Sequence, residues 1–193
     1  MGKVFLSITM SLDGFTAGEH ITQENPMGEN GQLLHKWLFA DKQKEDEEVA
    51  IDTFKNCGAV ILGSRTYITA IDGVWESQSP FPAPALILSS RKIDVAKGFA
   101  IVSDGIEAAL AKAKSIAKER EILVMGGASV AQQFLSAGLL DEIHIHIAPI
   151  LLGNGTLLFE ERNNKMIELT KIKVVETPSA THLFLKSNNK WNQ

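Results

Sequence analysis

The order of elements along the chain predicts an α/β fold, a mainly parallel sheet with helices on both faces and an antiparallel pair of strands at the end. Three observations carry this. Short, uncharged apolar runs recur at residues 59–62, 85–88 and 122–125, as in strands covered on both faces, with further strands over 4–10, 99–102 and 142–147. Helical spacing separates several of them, which favours parallel pairing. The tail instead alternates over 167–175 and 180–186 around Glu176-Thr177-Pro178-Ser179, the pattern of a hairpin.

Taken in order, residues 4–10 open the chain as a strand that ends at Ser11-Leu12-Asp13-Gly14, where Gly14 is available for positive φ. Residues 19–31 are polar and rich in Asn, Gly and Pro, and read as a loop. Leu33, Leu34, Trp37 and Leu38 have helical spacing; residues 42–48 form a charge run expected to be a solvated helical surface, and a helix around 49–54 ends before Asn56-Cys57-Gly58. Strands at 59–62, 85–88 and 99–102 follow. A helix over 106–118 puts Ile106, Leu110 and Ala113 on one face, with Ser103 or Asp104 as its N-cap. The strand 122–125, a helix from Ala128 stopped at Gly138, and the strand 142–147 precede the hairpin.

Composition bounds the answer. The 193 residues suit one domain, 1–193, with a full-sized core; 45% are hydrophobic and 22% charged. A net charge of −4 and the lack of a basic stripe argue against nucleic acid as partner. The single cysteine, Cys57, fits a reducing cytoplasm and reads as a small core side chain. Neither a leader nor a membrane-spanning stretch is visible.

Between the strand 122–125 and the following helix stand Gly126 and Gly127, which remove the Cβ atoms that keep a ligand or another backbone away. The helix directs unpaired N–H groups and its positive end at this gap, so an anion fits, with about 0.3–1 kcal/mol of charge attraction. A plain tight connection has the same sequence. Neither G-x-G-x-x-G nor G-x-x-x-x-G-K-[ST] occurs, so a standard dinucleotide fold or P-loop is not expected.

Two other strand ends match this one in type: Gly63-Ser64-Arg65-Thr66 and Ser89-Ser90-Arg91. Open α/β sheets bind ligands outside the carboxyl ends of their strands. Small residues, hydroxyls, a helix end and two guanidinium forks suit a dinucleotide with an additional 2′-phosphate. Arg65 or Arg91 taken alone reads more often as a surface residue.

These segments resemble the three successive cofactor motifs of the dihydrofolate reductase-like superfamily: Val60-Ile61-Leu62-Gly63-Ser64-Arg65-Thr66-Tyr67, Leu88-Ser89-Ser90-Arg91 and Met125-Gly126-Gly127-Ala128-Ser129-Val130. Residues 141–155, with His144-Ile145-His146 and Leu151-Leu152-Gly153, narrow the resemblance, as does Ser11-Leu12-Asp13-Gly14-Phe15. They look like the C-terminal reductase domain of the bifunctional riboflavin-biosynthesis deaminase/reductase, and the likeness runs from residue 4 to about 186. The resemblance implies a three-layer α/β/α sandwich with a central mixed, mostly parallel sheet, a homodimer, and NADPH as cofactor. It assigns Gly63, Ser64, Arg65 and Thr66 to the cofactor phosphates, Ser89, Ser90 and Arg91 to the 2′-phosphate end, and Gly126, Gly127, Ala128, Ser129 and Val130 to the pyrophosphate. Asp13 and Gly14 would flank nicotinamide and a small-molecule substrate, with residues 149–153 nearby. The nearest family activity is reduction of 5-amino-6-(5-phosphoribosylamino)uracil; a pterin or dihydrofolate-type reductase and a non-catalytic NADPH-binding sensor are the alternatives.

The chain also departs from these relatives. One cysteine cannot build the deaminase zinc site. Residues 31–54 contain no arginine to hold a ribose phosphate, and the helical carboxylate of dihydrofolate reductases is not identifiable. Asp13 is the catalytic candidate, as polar contact or proton source, with a turn residue as the alternative. His144 and His146 share one face of their strand, which points to a cross-strand hydrogen bond and not to a metal site. Trp37, Trp75 and Phe15 read as packing or as walls of a planar slot.

Overall fold

A computed structural model describes residues 2–159 and 166–188. The expected single domain 1–193 also includes residues 1, 160–165 and 189–193, which lie outside the described ones. The chain opens with β1 (Val4–Ser11) and the short β2 (Phe15–Ala17), then a 3₁₀ turn (Gly31–His35), α1 (Lys36–Phe39) and α2 (Lys44–Lys55). Next come β3 (Cys57–Gly63), α3 (Ser64–Ala70), β4 (Ala85–Leu88), β5 (Phe99–Val102) and α4 (Gly105–Ala117). Then follow β6 (Glu121–Gly126), α5 (Ala128–Ser136), β7 (Glu142–Ala148), β8 (Thr156–Leu157), β9 (Leu169–Glu176) and β10 (Thr181–Ser187).

Eight strands form one sheet in the order β5-β4-β3-β6-β1-β7-β10-β9. Every neighbouring pair from β5 to β7 is parallel, while β10 is antiparallel to both β7 and β9. The expected mixed, mostly parallel sheet with a C-terminal hairpin is what forms. Both faces of the central strands are covered, which is why they read as continuous apolar runs. Ala59 and Ile61 of β3 turn to the layer of α4 and α5, with Ala109, Leu110, Ala113 and Phe134. Val60 and Leu62 turn the other way, to Tyr67 and Ile71 at α3. Trp37 and Val49 cover the hairpin end of that second face. Each such fully buried aliphatic side chain contributes about 1.5–3 kcal/mol.

The charge run corrects the sequence reading. Asp46 is 1% exposed, not on a solvated surface. Its carboxylate accepts from the Gln43 N–H at 2.7 Å in a capping box, which compensates the burial. The α4 N-cap is Asp104, but no side chain caps that helix. Three short elements were not anticipated: α3, and β2 paired with β8 as a separate two-stranded sheet.

The sheet is closed at one end and open at the other. At the amino ends, Lys3 Nζ lies 2.8 Å from Glu142 Oε2 and 3.6 Å from Glu121 Oε1, bridging β7 and β6 across β1. Pairing of β1 with β6 stops at Leu6–Val124, although β1 runs on to Ser11 and β6 to Gly126. Beyond that pair the two strands part, leaving a seam. Among the described residues no helix is long and apolar enough to cross a membrane.

Candidate active site

The carboxyl ends of β4, β3 and β6 are adjacent, and the three corners named from sequence come together there. Ser64, Arg65, Ser89, Ser90 and Arg91 line one open groove of about 430 Å³, with Ile68, Thr69 and Ile93. Both guanidinium-bearing residues are exposed, so the groove is positively charged. Ser89 is 8% exposed and folded back on its own turn: its Oγ donates to Arg91 O at 2.9 Å and accepts from Arg91 N at 3.1 Å. That ties down the turn presenting Arg91.

The third corner is joined to the first by a hydrogen bond, the Gly127 N–H donating to Thr66 Oγ1 at 3.0 Å. The Gly126–Gly127 peptide is cis, and Gly126 has φ +111°, which L side chains rarely adopt. A Cβ on Gly63 would stand 3.1 Å from Val130 Cγ2, tighter than an ordinary contact. Gly127 precedes α5, and its carbonyl accepts from Val130 N and Ala131 N. The N–H groups of Ala128 and Ser129, in the first turn, are left for a ligand by helix geometry. A backbone corner of this kind suits an anion.

Asp13 is held tightly. Its carboxylate accepts from Ser11 Oγ, from Leu152 N at 3.1 Å and from Gly153 N at 2.7 Å. The Ser11 hydroxyl above all, helped by the Gly153 and Leu152 amides, holds its pKa below the usual carboxylate value against the opposing effect of burial. At neutral pH this group is an ionised tether between the β1 and β7 loops and carries no proton to give. Leu12 N, donating to Ile150 O at 2.9 Å, joins the same loops.

A polar chain crosses the sheet beside the seam. Ser7 is the first residue past the last β1–β6 pair. Its Oγ is 3.0 Å from His146 Nε2; His146 Nδ1 is 2.8 Å from His182 Nδ1; His182 Nε2 is 2.8 Å from Asp46 Oδ1. Thr177 Oγ1 also donates to Asp46 Oδ1, at 2.9 Å. Trp37 packs on both imidazoles, with centroids 4.8 and 4.9 Å away, and its Nε1 donates to Thr9 Oγ1 at 3.3 Å.

The profile of the RibD C-terminal domain matches residues 2–183. The chain belongs to that family. It is 27% identical over 177 residues to YwjB of Bacillus subtilis, an uncharacterized protein, covering 91% of this chain and 90% of that one. It is 29% identical over 169 residues to the riboflavin biosynthesis protein RibD of Corynebacterium ammoniagenes, covering 79% of this chain but only 44% of the relative. A solved protein of Shewanella sp. PV-4, provisionally assigned to riboflavin biosynthesis, superposes with TM-score 0.74 at 22% identity, covering 97% and 99% of the two chains. Dihydrofolate reductase of Enterococcus faecalis, solved with NADP(H), superposes with TM-score 0.64 at 16% identity over 97% and 98%. The fold is dihydrofolate reductase-like.

Within this RibD C-terminal domain, Trp75 lies away from the corners, stacked on Phe99 at 5.8 Å in the apolar layer under α3. Trp37 packs on the histidines, and Phe15 pairs with Leu157 in the small sheet. The cross-strand bond expected of the β7 histidines forms, through His146. Sequence reasoning missed Ser7, Asp46 and His182. The visible signal was the His144/His146 alternation, whose partner stands on another strand.

Proposed function

We propose that this protein is an NADPH-dependent reductase, one domain over 1–193, transferring a hydride to a small heterocyclic or ribosylamino substrate. The observation supporting this is the convergence of three strand-end corners on one site: a groove with Arg65 and Arg91, joined through Thr66 to the Gly126–Gly127 corner. The residues fit the cofactor. Gly63 and Gly126 let the strand ends pack closely on Val130 and Ile8, and the first turn of α5 offers backbone N–H groups. Arg91, with Ser90, suits a 2′-phosphate; Ser64, Arg65 and Thr66 suit the adjoining phosphates; Gly126, Gly127, Ala128, Ser129 and Val130 suit the pyrophosphate. When bound, NADPH supplies the hydride. The seam beyond Leu6–Val124 is the place for its planar ring, with the tethered Asp13 loop as one wall.

The substrate closest to the family is 5-amino-6-(5-phosphoribosylamino)uracil. A pterin-type acceptor is favoured by a different observation: residues 31–54 contain no arginine to hold a sugar phosphate. The homodimer is carried over from the resemblance, and sedimentation measures it. A cytoplasmic location is supported by the buried free Cys57 thiol.

Titration with NADPH and NADH, followed by an acceptor panel containing both substrate classes, tests the reading. Binding of NADPH with oxidation by one acceptor is the expected result. Binding without any turnover leaves a sensor, and failure of NADPH to bind overturns the proposal.

A further inference from the structure

We propose that Ser7, His146, His182 and Asp46 form a proton relay opening into the β1–β6 seam, with the Ser7 hydroxyl as the group that protonates the acceptor. This rests on the reductase reading above. Three contacts of 3.0, 2.8 and 2.8 Å make the chain continuous. Its inner members are sealed: His146 is 3% exposed, His182 0% and Asp46 1%. Ser7 alone of the four is partly exposed, so protons enter and leave at its hydroxyl. Ser7 itself stands where β1 and β6 part.

The chain has two self-consistent states that differ by one proton. In the first, Ser7 O–H donates to His146 Nε2, His146 Nδ1–H to His182 Nδ1, and His182 Nε2–H to Asp46. With one proton added, His182 carries both N–H groups, His146 is protonated on Nε2 and donates to Ser7 Oγ, and the Ser7 hydrogen is free for the seam. The added charge is balanced by Asp46, which also accepts from Gln43 N and Thr177 Oγ1. Other titratable groups facing the pair are His35 from the 3₁₀ turn and His144 on β7; burial holds both below the ordinary histidine range. From β9 the residue opposite His182 is Val175.

Reduction of a C=N, C=O or C=C bond needs a hydride at carbon and a proton at the other atom. As the C–H bond forms, the π electron pair moves to that atom, which takes the Ser7 proton. Ser7 Oγ takes the His146 Nε2 proton, and His146 Nδ1 takes one from His182 Nδ1. Ser7 is then the catalytic donor; His146, His182 and Asp46 are positioning residues that load it.

The decisive measurement is long-range ¹H–¹⁵N NMR of ¹⁵N-histidine-labelled protein, titrated between about pH 5 and pH 9 with and without NADPH. The expected result is a single step in which His146 changes from the Nδ1–H to the Nε2–H tautomer. A His146 ring that keeps one tautomer throughout overturns the relay. Kinetics add a second test, using 5-amino-6-(5-phosphoribosylamino)uracil and dihydropterin as probes. Ser7→Ala and His146→Gln should bind NADPH normally yet lose about a hundredfold or more in turnover, and Ser7→Thr should restore it. Normal turnover in Ser7→Ala also overturns the relay. Loss of NADPH binding in the unaltered protein instead refutes the reductase reading, which the titration reports separately.

Discussion

The Gly127 amide donates to the Thr66 hydroxyl across 3.0 Å, joining the corner after β6 to the first turn of α3. Two corners that are 61 residues apart in sequence are thereby held as one surface. Thr66→Val keeps the shape and removes the acceptor. The expected cost is about 1 kcal/mol in stability and a several-fold weaker affinity for NADPH. Denaturant melts and a fluorescence titration measure these, and an unchanged affinity removes Thr66 from the site.

Arg91 faces the groove from the turn that Ser89 ties down. Arg91→Ala should weaken NADPH by about 10- to 100-fold, as expected for about 1.5–3 kcal/mol of charge-assisted hydrogen bonding. NADH affinity should stay the same. Equal losses for both cofactors refute the 2′-phosphate assignment.

Asp13 accepts two amides of the opposite loop, and only an ionised carboxylate serves both well. Asp13→Asn should accelerate hydrogen exchange at Leu152 and Gly153 and slow turnover more than it weakens cofactor binding. Because its pKa is depressed, the tether is intact above the ordinary carboxylate range and is lost only as pH falls through the lowered value. Exchange protection at Gly153 that persists in the variant shows that the carboxylate does not hold the loop.

Burial lowers the His35 pKa to about 4, from an ordinary value near 6.5. On acidification the unfolded chain therefore takes up this proton before the folded one does. Stability is complete above about pH 6.5 and falls through the window down to about pH 4, by on the order of 3 kcal/mol. His146, lowered by burial and by the His182 charge, acts in the same direction. Melting temperatures of the protein and of His35→Leu across this range give the measurement, with a shallower slope expected for the variant. Parallel curves exclude His35.

The legible parts of the molecule were those fixed by neighbours in sequence. Ala59 to Leu62 and Ile122 to Met125 are apolar on both faces, so they read as central strands, and the glycines, serines and arginines directly after them marked one edge of the sheet. The chain from Asp46 to Ser7 was not legible, because its contacts join four elements and span 136 residues between Asp46 and His182. Asp46 sits among charges that do face solvent, and nothing local distinguishes the one that turns inward. The end of β1–β6 pairing also leaves no trace in composition: residues on either side of Leu6 and Val124 are equally suited to a strand.

The Lys3 bridge gives the seam a mechanical character. With β6 and β7 pinned to β1 at the amino end, any widening pivots about that pin and grows towards Ser11 and Gly126. The gap between β1 and β6 is therefore a wedge that begins where Leu6 meets Val124 and runs towards Ser11 and Gly126, a shape suited to a flat guest.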